Sequence, residues 1–130
     1  MQQKIRILLS VNALVGLAFG AALLLVPAAL LHIYGLTVDG TSVLVARLLG
    51  VEFLGLNVLT WIARKTDPYA AGSAARAAVR AHLVSESAGA LVSAWGAAEG
   101  IGNPMVWGVP VFYFAFAAAF LWAELALRRP

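Results

Sequence analysis

Long apolar stretches alternate with short polar connections along this chain, at about residues 5–26, 43–62, 77–98 and 105–126. Each has roughly the length a helix needs to cross a ~30 Å hydrocarbon layer. The pattern predicts an all-α, antiparallel four-helix bundle embedded in a membrane, with residues 1–130 as one transmembrane domain.

Helix-breaking and capping residues place the ends of the spans. Pro27 disfavours continuation of the first span, yet Leu30, Leu31 and Tyr34 keep helical spacing. A kink and a short interfacial turn are therefore predicted, closed by Gly35 as a C-cap residue. Asp39-Gly40 reads as a turn dipeptide, with Thr41 or Ser42 as N-cap of the second span. The connection 64–76 contains Asp67-Pro68 and Gly72-Ser73, and 100–104 is a tight hairpin that makes spans three and four antiparallel neighbours. Pro110, one turn into span four, is expected to bend it. Gly16 and Gly20 form a GxxxG step, and Gly50 and Gly55 lie in span two. Small residues let helix backbones approach in lipid, and packing inside the bundle is the expected role, ahead of a homodimer seam.

Charge orients the spans. Lys4 and Arg6 stand at the start of the first; Arg64, Lys65, Arg76 and Arg80 flank the second connection; Arg128 and Arg129 follow the fourth. The first and third connections carry Asp39 and Glu99 and no Lys or Arg. By the positive-inside rule both termini and the 64–76 loop face the cytoplasm of a multi-pass protein. Arg47, inside span two about a turn from its outer end, is the one basic residue away from the cytoplasmic side.

Composition adds limits. At 62% hydrophobic and 12% charged residues, 130 positions leave little room for a soluble domain. The net charge of +3 sits at span ends, where anchoring to the anionic leaflet of the bilayer accounts for it, so nucleic-acid binding is not expected. With no cysteine, disulfides, iron–sulfur clusters and thiolate metal sites are excluded. Lys4 and Arg6 resemble the n-region of a signal peptide, but the following run exceeds a usual h-region of about 7–15 residues. It is expected to be a retained span.

The chemistry lies in polar residues within the spans, since each ionised side chain near the bilayer centre costs about 3 kcal/mol on insertion scales. Glu52 in span two and Glu86 in span three fall at about the same depth, near the midplane. About a turn toward the cytoplasmic side come Asn57, His82 and Asn12, from spans two, three and one. On span three His82, Glu86, Gly89 and Ser93 share one stripe, and His82 and Glu86 are i,i+4 neighbours able to share a hydrogen bond or a proton. Arg47, Glu52 and Asn57 are spaced five apart and so point around span two. Either that span is surrounded by protein on most sides or one of the three faces a partner chain. The plain alternative is that both carboxyl groups are packing residues satisfied by their neighbours. Metal binding has little support, because paired-His, HxxxH and ExxH spacings are missing. Phosphate loops, dinucleotide fingerprints and serine-nucleophile motifs are also missing, so no cofactor is expected. Glu124 and Arg128 read as a surface ion pair. Trp61, Trp107 and Trp122 sit at span ends as belt residues, Trp95 lies deeper, and the aromatic run 112–120 either walls a pocket or faces lipid.

The stretch Pro27-Ala-Ala-Leu-Leu-His-Ile-Tyr-Gly35, the step Ala46-Arg47-Leu-Leu-Gly50 leading to Asn57 and Trp61, and the central Ser85-Glu86-Ser87 resemble the small four-helix bacterial inner-membrane proteins of the DoxX-like type. That resemblance implies a bundle in the bacterial inner (plasma) membrane, a place as accessory subunit of a membrane redox complex, and Arg47 as a marker position. Three functions follow as expectations. The first, which is preferred, is binding of a lipophilic molecule such as a quinone or isoprenoid, or docking to a membrane protein or a second copy. The second is a small membrane enzyme of isomerase or cyclase type, with Glu86, Glu52 and His82 as candidate catalytic groups. The third is a proton-coupled transporter. The candidate ligand-binding residues are Asn12, Arg47, Asn57, Ser93, Trp95 and Tyr113.

Overall fold

The computed structural model describes residues 1–128; Arg129, one of the basic residues expected beyond the fourth span, lies outside them. The chain is all-helical, with no strand among the described residues. In order the helices are α1 (Gln2–Leu25), α2 (Pro27–Ile33), α3 (Gly40–Ala63), α4 (Ala74–Ala98), a 3-10 turn (Pro104–Trp107) and α5 (Gly108–Arg128). Helices α1 and α3, and the 3-10 turn together with α5, are long and apolar enough to cross a membrane. α4 has comparable length at 25 residues, but alanines and the polar groups Arg76, Arg80, His82, Ser85, Glu86 and Ser87 lower its hydropathy.

Local chemistry explains the boundaries. Pro27 has no N–H and crowds its predecessor, so α1 stops at Leu25 and Val26 turns to φ −131°, ψ 48°. Pro27 then serves as the first residue of α2. That helix closes as expected on Gly35, whose φ is +66°, while Leu36 N–H donates to Leu31 O at 2.9 Å. The N-cap of α3 is Asp39 rather than Thr41 or Ser42. Its carboxylate accepts from Ser42 N–H at 2.7 Å, and Asp39 N–H donates back to Ser42 Oγ at 2.9 Å. An ionised cap is the stronger acceptor, and Ser42 completes a reciprocal box. Pro110 falls in the first turn of α5, where its missing N–H removes little.

α1 packs along α3, and α4 along α5, while contact between the two pairs is sparse. α1 and α3 touch backbone to backbone. A Cβ on Gly50 would lie 2.8 Å from Gly20 O, and one on Gly16 would overlap the Asn57 amide. The GxxxG step is thus used inside the chain. The pairs meet in an apolar core formed by Ile5, Leu9, Ala63, Val79, Phe120, Leu127 and neighbouring alanines. This core lies at the end that gathers the N-terminus, the 64–73 connection and Arg128, hereafter the basic end. At the far end Asn103 ties them again: its N–H donates to Tyr34 O at 2.8 Å and its Nδ2 to Ile33 O at 2.9 Å. Between core and tie the pairs separate.

Glu124 departs from the expected surface ion pair. It is 2% exposed and held by two arginines. Arg80 donates from Nε and Nη2 at 3.2–3.3 Å, and Arg128 donates from Nε at 3.0 Å. The outer faces of the helices are lined with exposed Leu, Val, Ile and Phe, including Leu25, Leu91, Val84 and Phe114. A surface that apolar on helices of this length suits a membrane protein.

Candidate ligand cavity and its polar floor

Where the helical pairs separate they enclose a cavity of about 870 Å³, within the ~300–1,000 Å³ typical of small-molecule sites. Its walls are almost wholly apolar, with Phe19, Leu23, Leu49, Phe53 and Phe112 prominent. Lining residues on α3 run from Thr41 to Asn57, about 24 Å at ~1.5 Å per residue, so the space is elongated. Val45, Leu49, Met105 and Phe112 line it and are also exposed. Among the described residues α3 and α5 make at most marginal contact. The mouth therefore opens sideways between those helices, toward the region lipid would occupy.

The end nearest the basic core is polar. Asn12, Asn57 and Glu86 line it, with Tyr113 on the wall, its ring packed over Gly89. Beneath them His82 is 1% exposed and stacks on Phe120 with ring centroids 4.9 Å apart. Hydrogen bonds join three helices here, α1, α3 and α4. Asn12 Nδ2 donates to Asn57 Oδ1 at 3.4 Å and lies 3.2 and 3.1 Å from the two ring nitrogens of His82. Asn57 Nδ2 donates to Phe53 O at 2.8 Å. Thr60 Oγ1 lies 2.9 Å from Leu56 O and 2.7 Å from His82 Nε2.

One hydroxyl proton cannot serve both neighbours. If Thr60 donates to Leu56 O, it accepts from His82 Nε2–H, and Nδ1 is left to accept from Asn12. A proton on Nδ1 would instead point toward Glu86, whose Oε1 is 3.5 Å away. Among the described residues that imidazole is the one ion-pair or hydrogen-bond partner of the Glu86 carboxyl, which is 8% exposed and otherwise faces the cavity. The floor thus presents a carboxyl group with free hydrogen-bonding capacity, backed by a group that can take or supply a proton.

The structure brings together Asn12, Asn57, His82, Glu86 and Tyr113. It does not bring Glu52, Arg47, Trp95 or Ser93 to the cavity. Glu52 and Arg47 are exposed on the outer side of α3. Trp95 is 70% exposed and its Nε1 donates to Glu99 Oε1 at 3.2 Å. Ser93 Oγ donates to Gly89 O in its own helix. Thr60 and Phe120 were not among the expected residues. Thr60 follows Asn57 by three positions and so shares its face, a signal present in the sequence. Among the described residues no group of three His, Asp or Glu side chains gathers as a metal site would require. No known protein family, curated protein or solved structure matches the chain.

Proposed function

We propose that this chain is a four-helix bundle of a bacterial inner membrane, with both termini and the 64–73 connection in the cytoplasm. In this reading it binds an elongated lipophilic molecule whose small polar head rests on Glu86. One observation carries the reading: a long, apolar, laterally open cavity ends on a buried carboxyl whose one ion-pair or hydrogen-bond partner among the described residues is His82. As a carboxylate, Glu86 accepts from a hydroxyl or amine head; carrying a proton, it donates to a carbonyl. A quinone or a prenyl alcohol has the required shape and either kind of head. The DoxX-like resemblance agrees with such a role, as an accessory subunit that holds or presents a lipophilic molecule. The test is equilibrium binding of a short-chain ubiquinone analogue and of farnesol to the purified protein, wild type against Glu86→Gln. Binding of either ligand that is lost in the variant supports the reading; retention in the variant, or no binding of either, counts against it.

One observation favours a second reading, acid–base catalysis on an apolar substrate. His82 stands behind Glu86 at 3.5 Å, as a proton reservoir for a carboxyl group facing substrate would. On that reading Glu86→Gln binds the substrate and fails to turn it over.

A further inference from the structure

Arg47 and Glu52 are exposed on a helix apolar enough to lie in lipid, and among the described residues no ion pair includes either. Five residues separate them by about 140° around α3 and about 7.5 Å along it, so they diverge within one chain. The surface between them is patterned. Leu44, Leu48, Val51, Gly55, Val58 and Ile62 follow one another at alternating steps of four and three, the spacing by which two helices wind together. The five large side chains of this seam are 49–61% exposed, and a Cβ on Gly55 would meet nothing within 4 Å. The seam lies opposite Ala46, Gly50, Asn57 and Thr60, the buried face of the same helix.

Arg47 immediately precedes the seam residue Leu48, and Glu52 immediately follows Val51. In heptad terms these are a g position and the e position five residues later, the pair that meets between parallel strands of a two-stranded coiled coil. We propose that α3 is the interface of a parallel homodimer, in which Arg47 of each copy pairs with Glu52 of the other. A two-fold axis along the seam carries Arg47 of the second copy to the flank where Glu52 of the first stands. One contact made twice thus gives all four charges partners. The opposite orientation would set Arg47 against Arg47 and Glu52 against Glu52, so the charges select parallel copies. Lipid tails offer neither group a counter-ion, and Gly55 in the seam allows close approach. The cavity mouth is on another side of α3, so this interface is independent of ligand binding.

The chain has no cysteine, so a single introduced one reports without background. Under copper-phenanthroline oxidation in membrane vesicles, Gly55→Cys is expected to give a disulfide-linked dimer. Phe114→Cys, on the exposed face of α5, is expected to stay monomeric. In the Gly55→Cys background, Arg47→Glu or Glu52→Arg should each lower the cross-linked yield about tenfold, and combining them should restore it. Equal yields from Gly55→Cys and Phe114→Cys would overturn the proposal, and so would a product of another size. Indifference to the charge reversals, or failure of the combined reversal to restore the yield in inserted protein, would overturn it as well. The comparison of the two cysteine positions decides the matter even where a charge variant fails to insert.

Discussion

A carboxyl group inside an apolar wall is costly unless it is neutralised or engaged, and Glu86 has one ion-pair or hydrogen-bond partner among the described residues. His82, by contrast, is engaged on several sides by Thr60, Asn12 and the ring of Phe120. The two residues should therefore respond differently to replacement. His82→Ala opens a void under Phe120 and strips Thr60 and Asn12 of a partner; thermal unfolding in detergent should show a loss of about 2–4 kcal/mol. Glu86→Gln is nearly isosteric and should leave the unfolding temperature within a few degrees. Gly16 and Gly55 offer a second contrast. A methyl at Gly16 overlaps the Asn57 amide while one at Gly55 meets nothing, so Gly16→Ala should destabilise by about 1–3 kcal/mol and Gly55→Ala should not. A destabilised Gly55→Ala monomer would contradict the packing described. Much of the floor was legible as residues at one depth, because counting along helices gives depth directly. Glu52 shares that depth and still points outward, because direction depends on where Gly20 and Gly50 bring α1 against α3. Counting residues shows that Glu52 and Asn57 diverge around α3; which of the two turns inward is set by that tertiary contact.

Helix ends in this chain follow local rules closely, as Pro27 at the α1–α2 break and Gly35 at the close of α2 show. The start of α3 was misread by two or three positions because Asp39 looked like a turn residue and is also the better cap. Hydrogen bonds from the Ser42 backbone and side chain hold its carboxyl below the ordinary value of 3.8. A carboxyl group with a lowered folded-state pKa adds stability above its unfolded value and loses it as pH falls through the folded one. Acid titration followed by circular dichroism should thus show Asp39→Asn and wild type converging as pH falls below the ordinary aspartate value, with wild type the more stable at neutral pH. A difference independent of pH would mean that the cap charge is immaterial. Glu124 belongs to the same level of structure: with Arg80 and Arg128 it joins α4 to α5 at the basic end. Sequence spacing revealed only the Arg128 half of that cluster, since Arg80 arrives from another helix.

The molecule as a whole is two helical pairs joined by an apolar core at one end and by Asn103 at the other, with the cavity between. The all-helical architecture and the membrane-length helices were readable from hydropathy and from the apolar runs themselves. The cavity was not, because an opening between pairs is a failure of packing and leaves no motif. Its volume and lateral mouth set the central claim, that an elongated lipophilic molecule sits there with its head on Glu86. The most direct measurement is native mass spectrometry of protein released gently from its own membranes, wild type beside Glu86→Gln. The expected result is a small-molecule adduct on the wild-type chain that is absent from a folded Glu86→Gln chain. An adduct of equal occupancy on both, or a wild-type chain without one in every preparation, would contradict the account.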